Sequence, residues 1–233
     1  MDYYYSVVAV LAYLLGSIPF GYILVRVFLK QDIRSTGSGN IGATNVARSG
    51  KKGLAIATLL LDGFKGSLAV WLSLWVLAAK WAPYSKGGLG GAHSWLSTDT
   101  PPSIQAFAAL IAILGHMFPI WLRFKGGKGV ATAAGAFLAL SPAALLVAVI
   151  VFASVFAVSR YVSLGSILAA IVFPLAAYFI QKPQSPTLIA MTVSAVLVVL
   201  KHHENIRRLI AGTENKFGGK KSVPPPDAME KQA

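Results

Sequence analysis

Cysteine is absent from this 233-residue chain, which excludes disulfides, thiol nucleophiles and thiolate metal ligands. Acid is scarce: eight Asp and Glu stand against 21 Lys and Arg, for a net charge of +13. Charged residues of both signs make up only 12% of the sequence, well below the quarter or so usual in a soluble domain, while 55% is hydrophobic. The four histidines stand singly except His202-His203, and no HExxH or HxH spacing joins them, so no metal site is expected. Segments of alternating polarity are missing, which argues against a β-barrel. The first residues, MDYYY, carry an acid where a removable leader would be basic, so they read as the start of a first span.

What is present is a series of apolar runs of about 18–25 residues, each long enough to cross a hydrocarbon core. The class is an all-α polytopic membrane protein. Spans are expected at about Tyr4–Phe28, Gly53–Ala79, Ser103–Leu122, Val162–Ile180 and Thr187–Leu200. The apolar stretch Gly129–Val158 is ambiguous, with Ser141-Pro142 at its middle. Charge decides it. Arg26, Lys30, Arg34, Arg48, Lys51 and Lys52 crowd the first loop; Arg123, Lys125 and Lys128 follow the third span; seven Lys and Arg lie beyond Leu200. Basic segments stay cytoplasmic. All three are inside only if the stretch splits at Ser141-Pro142, giving about seven transmembrane helices, the N-terminus outside and the C-terminus cytoplasmic. The piece Gly129–Leu140 is then too short to span alone, and its N-terminal dipole would point at whatever sits on the loop before it. The membrane domain is expected over residues 1–214 and a polar, disordered tail over 215–233. The Gly/Ser/Trp-rich loop Trp81–Pro102 reads as an external connection.

Three polar segments interrupt the apolar pattern: GSGNIGATNVAR (Gly37–Arg48), FKGGKGVAT (Phe124–Thr132) and KHHENIRRL (Lys201–Leu209). In the first, Gly37, Gly39 and Gly42 free the backbone, Ser38, Asn40, Thr44 and Asn45 offer neutral hydrogen bonds, and Arg48 can grip a phosphate through two parallel bonds. In the second, Gly126, Gly127 and Gly129 surround Lys128, and successive N–H groups there suggest an anion nest to which Lys125 and Lys128 add charge. The third is expected to continue the last helix, with His202 and Asn205 on one face. The spacing Gly37-x-Gly39-x-x-Gly42 imitates a dinucleotide fingerprint, but a membrane helix precedes it where a strand is required. Lys128 is followed by Gly129, so no Walker motif exists either. The basic charge is accounted for by topology, and no nucleic-acid partner is expected. Asp62 and Lys65 lie one turn apart inside the second span, and a structural ion pair is the favoured reading. His116, at the edge of the third span, is equally compatible with a structural and a functional role.

These segments, in this order on a small polytopic chain, resemble those of the PlsY family of bacterial glycerol-3-phosphate acyltransferases, over essentially all of Met1–Glu214. The resemblance implies transfer of a fatty acyl group from acyl phosphate to the 1-hydroxyl of glycerol-3-phosphate, giving lysophosphatidic acid. It implies roles for Ser38, Arg48, the Gly126–Gly129 loop, His202 and Asn205, with Glu214 supporting the fold. It also implies a bacterial inner membrane, a site on the cytoplasmic face, no cofactor, and a soluble enzyme supplying acyl phosphate. An activated donor needs no acyl-enzyme. Arg48 and Asn205 would position the glycerol, the GGKG N–H groups with Lys128 would hold the transferring phosphate, and His202 or a phosphate oxygen would take the proton. The binding set would include Gly37, Gly39, Asn40, Gly42, Thr44, Asn45, Lys125 and Thr132. Acyltransferases of the soluble-donor type use an HxxxxD dyad, which is excluded because Thr98, Trp121, Arg207 and Arg208 stand five places after the histidines. A transporter or channel for a phosphorylated solute would line mid-membrane with polar groups, where only Asp62 and Lys65 qualify. A non-catalytic scaffold would not need the polar residues of the first segment.

Overall fold

Apolar backbone in a bilayer must satisfy its own hydrogen bonds, and this chain does so with helices. The computed structural model describes residues 3–81 and 102–218. Among the described residues ten α-helices run in order: α1 (Tyr3–Gly16), α2 (Phe20–Leu29), α3 (Ala43–Arg48), α4 (Lys52–Trp81), α5 (Pro102–Met117), α6 (Val130–Leu140), α7 (Pro142–Ser159), α8 (Val162–Gln181), α9 (Ser185–Leu200) and α10 (His203–Ile210). Among the described residues there is no strand. By length and composition five segments are able to cross a membrane: Tyr3–Leu29, Lys52–Ala78, Ser103–Leu122, Pro142–Ser159 and Val162–Gln181. A sixth is the bent pair α9–α10, and α6 is a shorter apolar helix between them. The chain is an all-α, multi-pass membrane protein. The expected external loop lies outside the described residues, as do residues 219–233 of the expected tail.

The split at Ser141-Pro142 is present. Ser141 caps α7, its hydroxyl bonds the Gln181 side chain, and Pro142 takes the first helical position, where its missing N–H is harmless. How an 11-residue helix survives at membrane depth is answered by its neighbour α4. A Cβ on Gly135 would lie 1.8 Å from the Gly63 carbonyl oxygen, so the two backbones touch and only glycine fits. Ser67 fixes the crossing by donating to the Gly135 carbonyl at 2.7 Å. On the far side α7 and α8 form an antiparallel pair, and Phe137 of α6 stacks on Phe173 of α8 with ring centres 4.4 Å apart. Such a pair contributes roughly 1 kcal/mol beyond the area it buries.

Two continuous helices expected from the sequence are broken. The first span divides at Ser17–Pro19, because proline has no N–H to give and disfavours helix in the residue before it. The carbonyl of Ile18 then accepts from the ammonium of Lys65 at 2.6 Å, and the same ammonium sits 2.7 Å from Asp62. The expected Asp62–Lys65 pair therefore exists, fully buried, and one of its functions is to satisfy that break. The second break is between α9 and α10, which meet at 53°. His202 stands at the corner as the N-cap of α10, its carbonyl accepting the Ile206 N–H at 2.8 Å, and Asn205 follows one turn later on that helix. The described part of the tail is held as well: the Phe217 N–H donates to the Arg160 carbonyl at 2.8 Å, and its ring meets Phe156 edge-on.

Candidate active site

The three polar segments meet at the mouth of one cavity of about 720 Å³. Its body runs between α4, α6, α7, α8 and α9 and is apolar, walled by side chains such as Ile56, Leu59, Phe137, Ala148, Phe152 and Phe173. Ser38, Asn40, Gly42, Thr44, Asn45 and Arg48 of the first segment border the mouth, as do Lys128 and Gly129 of the second. His202, Asn205 and Glu214 complete it, and Asp62 and His116 reach it from beneath. Six of the expected contact residues do not border it: Gly37, Gly39, Lys125, Gly126, Gly127 and Thr132. Lys125 lies in a separate pocket, and Thr132 is buried where α6 crosses α4.

Two donors of the expected anion nest are engaged within the protein. The Gly126 N–H donates to the Met117 carbonyl at 3.2 Å and the Gly127 N–H to the His116 carbonyl at 3.0 Å. Those donors close the end of α5, whose last carbonyls have no helical partner, and are not free for phosphate. Gly127 packs so closely that a Cβ there would lie 2.0 Å from Nε2 of His116. His116 in turn has its Nδ1 3.5 Å from Asp62, so the loop rests on a buried Asp62–Lys65–His116 group. The donors that do face the cavity are those of the α6 N-terminus. Its first-turn N–H groups have no acceptor within the helix, and Val130 and Ala131 border the cavity beside Lys128.

Lys128 is the cation at that helix start. Its ammonium bonds the Asn205 carbonyl oxygen, Asn205 Nδ2 donates to Glu214 at 2.7 Å, and Glu214 also receives Ser163 at 2.8 Å and Arg208 Nε at 2.7 Å. Asn205 is thus the middle of a relay that aims Lys128. Burial pushes the Lys128 ammonium down to about 8, with Glu214 opposing that shift and Arg208 and Arg48 adding to it. Burial works to raise the Glu214 carboxyl, but bonds from Arg208, Asn205 and Ser163 hold it below its ordinary value. His202 is buried with Nδ1 2.7 Å from the Val198 carbonyl. Burial, then Lys128, push its pKa down to about 4, so the ring is neutral at pH 7. A neutral ring beside a carbonyl must donate from Nδ1, which leaves the lone pair on Nε2.

In the first segment the Asn45 side chain is engaged with its own loop. Its Oδ1 accepts the Ser38 N–H at 2.8 Å, and its Nδ2 reaches the carbonyls of Ile33, Thr36 and Asn40. That amide holds the loop's own backbone, and both of its N–H donors are used in doing so. Arg48, at the C-terminal end of α3, is exposed at the rim. The sequence reading missed Ser163 and Arg208, which orient Glu214. No local motif marks Ser163; Arg208 was visible only as one of several cations.

An apolar hold that opens on a cationic, donor-rich mouth defines a membrane protein with a cavity shaped and charged to suit an anionic amphiphile. The comparisons with known proteins agree. The family model described as glycerol-3-phosphate acyltransferase matches residues 6–212. A glycerol-3-phosphate acyltransferase of Mesorhizobium japonicum is 46% identical over 221 residues, 94% of this chain and 100% of that one. One of Trichlorobacter lovleyi is 48% identical over 207 residues, 88% of this chain and 94% of its own. The crystal structure of PlsY, an integral membrane glycerol 3-phosphate acyltransferase, in its glycerol 3-phosphate form is similar with TM-score 0.76 and 36% identity, covering 92% of this chain and 96% of that one. Its lysophosphatidic acid form gives TM-score 0.73 at the same identity, covering 92% and 95%. The chain belongs to the glycerol-3-phosphate acyltransferase family.

Proposed function

We propose that this chain transfers a fatty acyl group from acyl phosphate to the 1-hydroxyl of sn-glycerol-3-phosphate, releasing lysophosphatidic acid and inorganic phosphate. The observation that carries the reading is one continuous cavity with an apolar body and a mouth bearing Arg48 and Lys128. A fatty acyl phosphate has that shape and charge, and so does the product. The hydroxyl oxygen attacks the acyl carbonyl carbon, the bond from that carbon to the phosphate oxygen breaks, and phosphate leaves with the electron pair. Lys128 and the first N–H groups of α6 stabilise the charge that grows on it. Arg48, with Ser38, Asn40 and Thr44 near it, holds the phosphate of the glycerol substrate. The hydroxyl proton goes to Nε2 of His202 or to a phosphate oxygen. Two bound anions beside His202 favour its charged form and so strengthen it as a base. Asp62, Lys65 and Glu214 shape the site without touching substrate. No cofactor takes part in the scheme.

The basic segments set the orientation we propose: mouth and C-terminus on the cytoplasmic side of the bacterial inner membrane, N-terminus outside. A soluble enzyme that makes acyl phosphate would then deliver its product to this face. The test is to give purified protein glycerol-3-phosphate with acyl phosphate, acyl-CoA or acyl-carrier protein in parallel. Lysophosphatidic acid is expected from acyl phosphate alone. Product only from the thioesters refutes the donor assignment.

A further inference from the structure

A second pocket, of about 760 Å³, opens on the other side of the glycine turn and takes no part in the scheme above. Its floor is the break between α1 and α2, Ile18–Pro19, and its walls are Tyr22 and Ile23 of α2 and Trp121–Arg123 at the end of the third span. Three cations point to it from two separate basic segments: Arg34 from the first, Arg123 and Lys125 from the second. Among the described residues Asp32, bonded to Arg34 Nη2 at 2.6 Å, is the carboxylate paired with these cations, so positive charge remains in excess there. Arg34 also lies over the Tyr22 ring, 4.9 Å from its centre.

This pocket is built, not an accident of a loose surface. The Trp121 indole donates to the Ser17 hydroxyl at 3.1 Å, which ties the third span to the break. Arg123 and Phe124 both take left-handed backbone, with φ of +53° and +62°. Non-glycine residues adopt that conformation at a cost, and here it turns the chain sharply between the span and the Gly126 turn. The apolar wall remains open to lipid: Trp121 is 62% and Ile23 39% exposed. A soluble anion has no use for such a wall. An amphiphile with an anionic head does.

We propose that this pocket binds an anionic phospholipid of the surrounding bilayer, its phosphate between Arg123, Arg34 and Lys125 and its chains along Ile23 and Trp121. The lipid would brace the outer side of the turn whose inner side carries Lys128. The proposal is independent of the reaction assigned to the main cavity.

The experiment is native mass spectrometry of the purified protein with phosphatidylglycerol, or with phosphatidylcholine of the same chains. Inorganic phosphate is added as competitor in a third arm. Wild type is expected to retain phosphatidylglycerol roughly tenfold better than phosphatidylcholine, as befits a few lipid-facing cations. Arg123→Gln and Arg34→Gln should each reduce that preference severalfold, whereas Lys51→Gln, equally exposed but outside the pocket, should leave it intact. Thermal unfolding of each variant identifies any that has lost its fold. Equal retention of the two lipids by wild type overturns the proposal, as does an equal loss in Lys51→Gln. Displacement of the lipid by inorganic phosphate at matched concentration would show a soluble-anion site instead.

Discussion

Replacing Glu214 by Gln should shift the alkaline limb of the activity profile to lower pH, and the structure sets the size of the shift. Lys128 is cationic below its pKa of about 8 and neutral above it, so capture of a phosphate fails as pH rises through that value. Glu214 reaches Lys128 through the Asn205 amide, a path that puts the two charges roughly 7 Å apart. At an effective dielectric of about 20 their attraction is about 2 kcal/mol. Removing it lowers the Lys128 pKa by roughly 1 to 1.5 units, at 1.36 kcal/mol per unit. Arg208, left without its closer carboxylate, repels Lys128 and works in the same direction. Gln keeps the volume and one acceptor, so Asn205 retains a partner. The assay is kcat/KM for glycerol-3-phosphate with acyl phosphate from pH 6 to 9.5, corrected for spontaneous donor hydrolysis. The descending limb near pH 8 in wild type should fall near pH 7 in Glu214→Gln. A Lys128→Arg variant, slower overall, should show no limb in this range because a guanidinium does not titrate there. An identical limb in wild type and Glu214→Gln would refute both the relay and the assignment of the titrating group.

Arg48→Lys keeps the charge but loses the planar two-bond grip, and kcat/KM for glycerol-3-phosphate should fall about 10- to 100-fold; an unchanged value would remove Arg48 from that phosphate. Gly135→Ala places a methyl 1.8 Å from the Gly63 carbonyl oxygen and should abolish folded yield on size-exclusion chromatography, whereas Gly53→Ala, with open space around it, should be neutral. Asp62→Asn removes the carboxylate charge that balances the buried Lys65 ammonium, leaving it neutral partners such as the Ile18 carbonyl and the Phe20 ring, and should destabilise by about 3–5 kcal/mol; the double variant Asp62→Asn with Lys65→Met should recover part of this in thermal unfolding. Ala148→Leu narrows the apolar body, and at about 0.8 kcal/mol per excluded methylene it should raise KM for long-chain acyl phosphates far more than for medium-chain ones.

Most of the fold was legible because bilayers impose strong rules. Apolar length located the helices, and charge asymmetry required the split at Ser141-Pro142 that α6 and α7 display. The two broken helices were not legible to the same degree. Both breaks lie inside or at the end of an apolar run, where hydropathy has no contrast to offer. Ser17–Pro19 carried a signal, since proline after an apolar turn marks a probable boundary. The 53° corner at His202 carried none, because Lys201 and His203 are ordinary helix residues. What stabilises it lies elsewhere in the chain, through Asn205 to Lys128 and Glu214.

At the mouth, sequence identified which residues assemble more reliably than it identified what each one does. Glycine beside lysine signals exposed N–H groups, but it does not say whether the protein itself consumes them. Here the question turns on α5. A helix that ends at membrane depth leaves its last carbonyls without water, and each unsatisfied group there costs several kcal/mol. Gly126 and Gly127 fold back under His116 and Met117 and supply the two missing donors. The demand is prior to any ligand, because it exists in the empty protein. Asn45 follows the same logic: a loop with three glycines has little side-chain packing to hold it, and one buried amide bonds four of its backbone groups. Donors for phosphate must therefore come from groups the fold has not already used up, and the first turn of α6, Lys128 and Arg48 are the ones the proposed reaction leans on most. In this chain the glycine–cation motif is a scaffold first, and the anion site we propose begins one residue further on, where α6 starts.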